Sequence, residues 1–309
     1  MFFCFLYQLK AVNTEGEIYI AKAKIAIVGA GKVGSRLAAA LQSLDYQLVG
    51  VASRTEPSSA LLGRKYGIPW TTKPVEVCKQ AEIIFITTPD RSIGDVVKQI
   101  AKAQGFKAGQ YVYHACGALT TNVLEPAKNC GALTGSFHPL QTFATNETEN
   151  ASLTGTFFAL DGDKQAVELG RKLATELGGQ WLLVPAQQRA VYHAAACIVS
   201  NYLVSLVDCA THLYKQMGIS DSNAISALLP LITGTLNNIV QFGTPHALTG
   251  PVSRGDVSTV TNHLAALEQC GERELQLYKS VGLYTTTLAL EKKSLTASQA
   301  KELLEVLQK

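Results

Sequence analysis

The chain has 309 residues, of which 47% are hydrophobic and 17% are charged. A disordered chain is less hydrophobic, and the length corresponds to two domains of about 150 residues each. The formal net charge of +3 and the absence of any run of five or six basic residues argue against nucleic-acid binding.

Cysteine usage and two apolar segments indicate the compartment. The seven cysteines are odd in number, widely spaced and without a Cys-x-x-Cys pair, so we expect free thiols and a cytoplasmic location. The apolar start lacks the basic region and cleavage site of a signal peptide, and we expect residues 1–23 to form a peripheral or poorly ordered leader. The apolar segment 191–210 contains polar side chains that would be costly in lipid, which favours a buried helix.

Short β-branched segments alternate with helical segments in the first half of the chain. The pattern predicts strands at 24–29, 48–52, 82–87, 111–114 and 133–137, helices at 32–44 and 93–103, and a strand–helix–strand unit at 156–160, 164–177 and 181–184. Such alternation is typical of α/β domains with a parallel sheet. We expect a Rossmann-type, doubly wound, mostly parallel sheet over residues 24–186.

The second half is helical by pattern, and we expect an all-α domain over residues 187–309. Its periodicity predicts helices at 187–217, at 222–242 with a kink or restart at Pro230, and from 256 to about 278, followed by two shorter ones. The segment 191–208 is apolar on nearly every helix face, more than one neighbouring helix can cover. We therefore expect a homodimer with twofold symmetry that forms through this domain.

A glycine-rich motif joins the first predicted strand to the first predicted helix: Gly29, Ala30, Gly31, Lys32, Val33 and Gly34. In this context a G-x-G-x-x-G allows a tight turn, lets the backbone approach a pyrophosphate and packs the helix close to the strand. The N–H groups at the helix N-terminus favour phosphate oxygens. The motif predicts a dinucleotide site, and a glycine-rich turn without a ligand is the alternative.

The end of the second strand distinguishes NADP from NAD. NAD-binding domains usually have an acidic residue there, whereas this chain has Ser53, Arg54 and Thr55. Arg54 can pair with a 2′-phosphate and stack on adenine, and the two hydroxyls can donate hydrogen bonds. We therefore expect NADP(H), the alternative being an arginine that only faces solvent.

Polar residues also follow three strands at the edge where ligands of such sheets bind. Thr88 and Pro89 follow the strand at 82–87, His114 ends the strand at 111–114, and His138 follows the strand at 133–137. We expect Thr88, Pro89 and His114 to contact the cofactor. An ordinary turn is the alternative at each position.

The helical half carries two polar features. His193, Cys197 and Asn201 share one face of an otherwise apolar helix, and they form either core hydrogen bonds or a site, because a buried unpaired polar group costs about 1–3 kcal/mol. A second group is predicted to form an anion-binding turn or, alternatively, a simply capped helix: Arg254, Asp256, Thr259 and His263. Asp256 suits the N-cap. The histidines lack the spacing of a metal site, and no metal is expected.

Several segments together resemble one bacterial family: G-A-G-K-V-G, T-P-D after a strand, F-H-P-L-Q-T-F at 137–143, Y-H-A-A-A-C-I-V-S-N-Y at 192–202 and L-T-G-P-V-S-R-G-D at 248–256. In that family a Rossmann-like domain precedes domain of unknown function 2520. The resemblance spans about residues 24–285 and leaves out the leader. Members are described as NADP-dependent oxidoreductases without an established substrate, so the resemblance implies a fold and a cofactor rather than a reaction.

The wider superfamily that the chain resembles includes 6-phosphogluconate dehydrogenase-like proteins, ketopantoate reductase and pyrroline-5-carboxylate reductase. Many β-hydroxyacid dehydrogenases in it carry K-x-x-x-N on the first long helix of the second domain, where the lysine protonates an alkoxide. This chain has no lysine between Lys172 and Lys215. The resemblance therefore implies His193 as the proton donor and Asn201 as a substrate-orienting residue, with His138 as the second choice for proton transfer.

The turn at 249–256 is similar to the S-P-G-G-x-T turn that holds a carboxylate in pyrroline-5-carboxylate reductases. This likeness implies that Arg254 binds a substrate carboxylate, together with Asp256, Thr259 and His263. We expect an NADP-dependent oxidoreductase that acts on a small, anionic carbonyl or imine compound. The alternatives are a catalytically silent NADP(H)-binding sensor or scaffold and a reductase whose hydride partner is another cofactor, such as a deazaflavin.

Overall fold

The computed structural model describes residues 7–12, 18–143 and 152–309. The chain divides into a first unit that runs to Ile198 and a second unit that begins at Val199. This division falls inside one long helix, Arg189–Gln216, whereas the sequence pattern places the domain boundary near residue 186, where the helical half begins.

Ten strands lie in the first unit: β1 Tyr7–Val12, β2 Ile18–Lys22, β3 Lys24–Val28, β4 Gln47–Ala52, β5 Trp70–Thr71, β6 Ile83–Ile86, β7 Tyr111–His114, β8 Leu133–Leu140, β9 Phe157–Gly162 and β10 Gln180–Leu183. β1 and β2 pair with each other in an antiparallel manner within the predicted leader, of which residues 1–6 and 13–17 lie outside the described residues. The others form one sheet in the order β10-β9-β8-β7-β6-β3-β4-β5.

The predicted doubly wound, mostly parallel sheet is confirmed. Neighbouring strands from β5 to β8 are parallel, and β9 joins β8 in the antiparallel direction. An antiparallel neighbour needs no crossover helix, so β9 can lie beside β8, the strand that precedes it in the chain. The predicted unit at 156–184 therefore completes the same sheet, but β9 and β10 run opposite to the other strands.

Thirteen α-helices are found among the described residues: α1 Lys32–Gln42, α2 Glu56–Tyr66, α3 Pro74–Cys78, α4 Asp90–Lys102, α5 Glu125–Lys128, α6 Lys164–Glu176, α7 Arg189–Gln216, α8 Asp221–Phe242, α9 Thr244–Ala247, α10 Pro251–Arg254, α11 Val257–Glu268, α12 Glu272–Glu291 and α13 Ala297–Gln308. Pro230 lies inside α8 without ending it. The prediction of one helix from 256 to about 278 is wrong, because the chain turns at Gly271, whose φ of +150° suits glycine.

The two faces of the sheet bury separate apolar clusters. One face buries Ile25, Ile27 and Phe85, and the other buries Val28, Ile86 and Val112. Residues two apart on a strand share a face, so His114 at the end of β7 continues the face of Val112. A polar region therefore begins where the second apolar cluster ends.

The second unit exposes large apolar side chains on its longest helices. Val199, Val204, Leu231 and Val240 are 71%, 69%, 67% and 88% exposed, and α8 packs chiefly against the short helix α9. Among the described residues, α8 and the helix at Ala186–Gln216 are long and apolar enough to cross a membrane by length and composition, which is weak evidence for a span. Both helices also carry polar side chains that lipid would not satisfy, which favours a protein partner.

We propose that a second copy of the chain covers these exposed apolar side chains. Sedimentation at micromolar concentration is expected to show a homodimer, because burial of this apolar area is favourable at about 25 cal/mol per Å². Leu231→Glu combined with Val240→Glu should yield a monomer. The matched control is Leu61→Glu on α2, where Leu61 is 68% exposed. A wild-type monomer, or a dimer that survives the double substitution, contradicts the proposal.

Candidate active site

The predicted glycine motif forms the turn between β3 and α1. Gly29 has a φ of +119°, and a Cβ there would lie 2.6 Å from the backbone nitrogen of Thr88. A Cβ at Gly34 would overlap the carbonyl oxygen of Gly29. In contrast, no atom lies within 4 Å of a Cβ placed on Gly31, the N-cap of α1. The turn therefore leaves open space in front of a helix N-terminus, as a pyrophosphate requires.

Thr87 holds this turn in place, and the sequence analysis missed it. Its hydroxyl donates to the carbonyl oxygen of Gly29 over 2.7 Å. The neighbouring Thr88 hydroxyl is buried without a hydrogen-bond partner among the described residues, and Pro89 is the N-cap of α4. Thr87 therefore stabilises the glycine turn, and Thr88 places an unsatisfied hydroxyl next to it.

The predicted 2′-phosphate site follows β4, the neighbour of β3 in the sheet. Arg54 is exposed, Ser53 is half-buried, and Thr55 is the N-cap of α2, with its hydroxyl 2.9 Å from that of Ser58. Around the glycines, Lys32 is exposed, Val33 is half-buried and Ala30 is buried. The exposed guanidinium of Arg54 therefore lies at the same sheet edge as the glycine turn and can reach a ligand there.

His114 is fully buried at the end of β7, and its Nδ1 accepts the Cys116 N–H over 3.2 Å. Burial and the charge of Arg189 lower the pKa of His114 to about 3. Burial raises the pKa of the Cys116 thiol to about 11, so this cysteine is no thiolate nucleophile near neutral pH. His114 shapes the turn at 115–117, and its contact with a cofactor remains a prediction.

Arg189, the first residue of α7, is only 1% exposed and was missed by the sequence analysis. Its Nη2 donates to the carbonyl oxygen of Cys116 over 2.7 Å and to the hydroxyl of Ser136 over 2.6 Å. His114, Ser136 and Asp161 are cross-strand neighbours on β7, β8 and β9, so Arg189 lies against a polar row on one sheet face. A positive charge in the first turn of a helix is unfavourable because it opposes the helix dipole. An arginine at the start of the predicted helix is therefore the sequence signal that could have identified Arg189.

Three aromatic side chains meet beside Arg189. His138 lies within β8, which runs three residues beyond the predicted end at Phe137. His138 Nδ1 is 2.8 Å from the hydroxyl of Tyr192, and the His138 and His193 rings are 6.3 Å apart at 80°. His193 Nε2 lies 3.7 Å from Cys197 Sγ, and its Nδ1 is buried without a partner among the described residues.

Gly117 separates the two histidines. A Cβ at Gly117 would lie 2.7 Å from His193 Nδ1 and 2.9 Å from His138 Nε2. Both ring nitrogens therefore pack closely against Gly117, and any side chain at this position would clash with them. Burial, with the nearby charges of Arg189 and His193, lowers the pKa of His138 to about 4, so the ring is neutral near pH 7. Such a pair can bind and protonate one small polar group.

The remaining predicted residues lie in the second unit. Asn201 is exposed on α7, and Arg254 is exposed at the end of α10. Asp256 caps α11 as predicted, since its carboxylate accepts the Thr259 N–H over 3.0 Å and the Thr259 hydroxyl over 2.7 Å. His263 Nδ1 lies 2.9 Å from the Tyr278 hydroxyl and lines an apolar cavity of about 370 Å³.

The geometry of the second unit thus supports the capped-helix alternative for Asp256 and Thr259. Their carboxylate and hydroxyl satisfy each other, and these hydrogen bonds lower the pKa of Asp256. Substrate binding by Asn201, Arg254 and His263 remains a prediction. In the part of the chain that the structure describes, no group of three or more His, Cys, Asp or Glu side chains could hold a metal ion.

Two family models match the chain. Residues 9–139 match the Rossmann-like domain, and residues 156–285 match domain of unknown function 2520, DUF2520. The chain therefore contains a segment that matches the Rossmann-like domain, followed by a segment that matches DUF2520. The predicted resemblance is confirmed, except that the first match begins at residue 9, inside the predicted leader.

Solved structures share this fold. The proposed NADP oxidoreductase BF3122 from Bacteroides fragilis is 23% identical with a TM-score of 0.69, and the match covers 88% of this chain and 98% of that one. Protein TM1727 from Thermotoga maritima is 22% identical with a TM-score of 0.66, and the match covers 87% of this chain and 99% of that one. The pyrroline carboxylate reductase of Plasmodium falciparum, solved with NADP bound, is 14% identical with a TM-score of 0.55, and the match covers 92% of this chain and 98% of that one. No curated protein sequence matches the chain.

The two buried histidines predict a pH dependence of stability. Below pH 6.5 the unfolded chain protonates both rings, whereas native His138 and His114 stay neutral until the pH approaches about 4 and 3. The unfolded state then binds more protons, so the free energy of unfolding should fall as the pH falls from 6.5 towards 4. His114→Asn, whose amide oxygen can accept the Cys116 N–H, should flatten this slope in chemical denaturation.

His246→Asn is the matched control, because His246 is exposed on α9 and its loss should leave the slope unchanged. An unaltered slope in His114→Asn would contradict the assignment of His114 as a buried neutral group.

Proposed function

We propose that the chain is an NADP(H)-dependent oxidoreductase that transfers a hydride between NADP(H) and a small carbonyl or imine compound. The carrying observation is that His138 and His193 lie together against Gly117, at the sheet edge that holds the glycine turn. β3, β6, β7 and β8 are parallel neighbours, so their carboxyl ends share that edge. A dinucleotide bound at the turn beside β3 can extend past β6 and β7 towards the histidines.

The residues around the turn favour NADP(H) over NAD(H). No acidic side chain stands at residues 53–55 to repel a 2′-phosphate, and Arg54 is exposed beside the turn. A guanidinium can pair with phosphate in a bidentate manner. The similarity to an NADP-bound pyrroline carboxylate reductase and to a proposed NADP oxidoreductase supports the same cofactor.

NADPH supplies the hydride when it is bound. Reduction of a carbonyl leaves an alkoxide that needs a proton, and an imine needs a proton before it accepts a hydride. A ring N–H of His138 or His193 can provide that proton, and the other ring can bind the same substrate atom. The adjacent Arg189 has no carboxylate within ion-pair distance among the described residues, so its charge favours an anionic substrate.

The six cysteines that the structure describes are all free thiols, which fits the cytoplasm as the working compartment.

A hydride-transfer assay tests the proposal. NADPH oxidation is measured by absorbance with a panel of cyclic imines and keto acids. His193→Gln and His138→Gln should each lower turnover by about 10²–10⁴-fold, because each removes an imidazole from the reacting atom, and should leave the Kd of NADPH unchanged. Arg54→Ala should narrow the preference for NADPH over NADH.

His246→Gln, on exposed His246 of α9, controls for the loss of a histidine in general. Full turnover in both histidine variants contradicts the proposed site. NADPH binding without oxidation by any compound of either class contradicts the enzyme and supports the sensor or scaffold alternative.

A further inference from the structure

The hydroxyl of Tyr192 contacts the histidine pair from the side away from Gly117. It lies 2.8 Å from His138 Nδ1, whereas His138 Nε2 lies close to Gly117. His138 therefore has one ring nitrogen toward the proposed substrate and the other toward a phenol. His193 differs, because its second nitrogen faces only the Cys197 sulfur at 3.7 Å.

The direction of the Tyr192–His138 hydrogen bond follows from the chemistry of the two groups. An imidazole nitrogen is a stronger base than a phenol oxygen, so the Tyr192 O–H donates and Nδ1 accepts. A neutral imidazole carries one N–H, and with Nδ1 as acceptor that hydrogen is on Nε2. The contact thus places a ring N–H on the Gly117 side of His138.

We propose that Tyr192 and His138 form a proton relay, in which His138 Nε2–H protonates the substrate and Tyr192 returns a proton to Nδ1. This assignment rests on the proposed reductase function and makes His138 the proton donor. Tyr192 acts through His138 and is a positioning residue. His193 Nδ1, which also lies against Gly117 and is buried without a partner among the described residues, binds the substrate atom that receives the proton.

The relay moves one proton at each end and leaves the histidine neutral. For a carbonyl substrate, the Nε2–H bond of His138 breaks as the O–H bond of the product alcohol forms. At the same time the O–H bond of Tyr192 breaks and an N–H bond forms at Nδ1. The negative charge of the alkoxide thereby passes to Tyr192, which becomes a phenolate. A phenolate is a weaker base than an alkoxide, which makes the transfer favourable. A proton from water then binds Nε2 while Nδ1 gives its proton back to the phenolate, which restores both Tyr192 and the first tautomer of the ring.

The charges around the pair suit this transfer. Arg189 and His193 on α7, His114 on β7 and Asp90 on α4 are the charged or titratable groups that act on His138 or lie beside it. Burial raises the pKa of Tyr192 to about 12, and the charge of Arg189, whose guanidinium carbon is 5.7 Å from the Tyr192 ring centroid, opposes this rise. The same charge disfavours a second proton on His138. The relay therefore needs no imidazolium.

The tautomer of His138 tests the relay without substrate or cofactor. The full-length protein is labelled with ¹⁵N-histidine, and long-range ¹H–¹⁵N spectra are recorded at pH 7, with signals assigned by His138→Gln. Wild-type His138 should be a single tautomer protonated at Nε2, and Tyr192→Phe should give a mixture. A wild-type ring protonated at Nδ1, or an unchanged tautomer in Tyr192→Phe, overturns the relay.

Tyr278→Phe is a matched control, because it removes the same kind of contact, 2.9 Å long, from His263. It should alter the His263 signals and leave those of His138 unchanged.

The kinetic arm uses any substrate that the hydride-transfer assay identifies. Tyr192→Phe should lower kcat by about 10²-fold, the lower end of the range for acid catalysis, with KM for the substrate and Kd for NADPH unchanged. Undiminished kcat in Tyr192→Phe, when His138→Gln has lost turnover, overturns the relay and leaves the proposed function standing. The proposed function fails separately if neither histidine variant loses turnover.

Discussion

A buried guanidinium holds the first turn of α7 against the ends of two strands, and the candidate active site depends on it. Arg189 donates to the carbonyl oxygen of Cys116 after β7 and to the Ser136 hydroxyl on β8. Three and four residues later on the same helix, Tyr192 and His193 reach His138 on β8. Arg189 and the Tyr192–His138 contact thus join the first turn of α7 to β8. Burial and, second to it, the charge of Arg189 lower the pKa of His114 and His138, so both rings are neutral near pH 7.

Burying such a cation is costly, and only one of its nitrogens is satisfied by the described residues. Nε and Nη1 of Arg189 lack partners, and Asp161, a cross-strand neighbour of Ser136, has an unpaired oxygen as well. Buried charges persist in proteins when they are paired or functional. In this site the charge has two consequences that a neutral side chain could not have: it adds to the effect of burial in lowering the pKa of His114 and His138, and it opposes the effect of burial in raising the pKa of Tyr192.

The strands, the glycine turn and the helical second half could be predicted from local sequence. Residues such as 83–86 form a short, continuously buried strand, and the glycines of 29–34 have a local conformational reason to be glycine. The direction of β9 could not be predicted, because periodicity is the same in parallel and antiparallel strands. The split at Gly271 was missed, since the helical pattern continues on both sides of a single residue.

The site could be predicted only in part, for the same reason. His138 and His193 were identified as polar residues in apolar surroundings, yet their proximity depends on a contact between residues 55 positions apart. Arg189 and Gly117 carry no sequence motif of their own, Tyr192 was quoted only as part of the segment 192–202, and their roles appear only when β7, β8 and α7 are brought together. For Asp256 and Thr259 the sequence left an anion-binding turn and a helix cap as alternatives, and the hydrogen bonds between the two residues support the cap.

The central claim is that the histidines over Gly117 lie beside the reacting end of NADP(H). A crystal structure of the protein with NADPH bound measures this directly. We predict that the pyrophosphate binds at the turn of residues 29–34 and that the nicotinamide C4 faces the space between His138 Nε2 and His193 Nδ1. A nicotinamide ring bound away from that space, with both histidines in contact only with protein, would contradict the account.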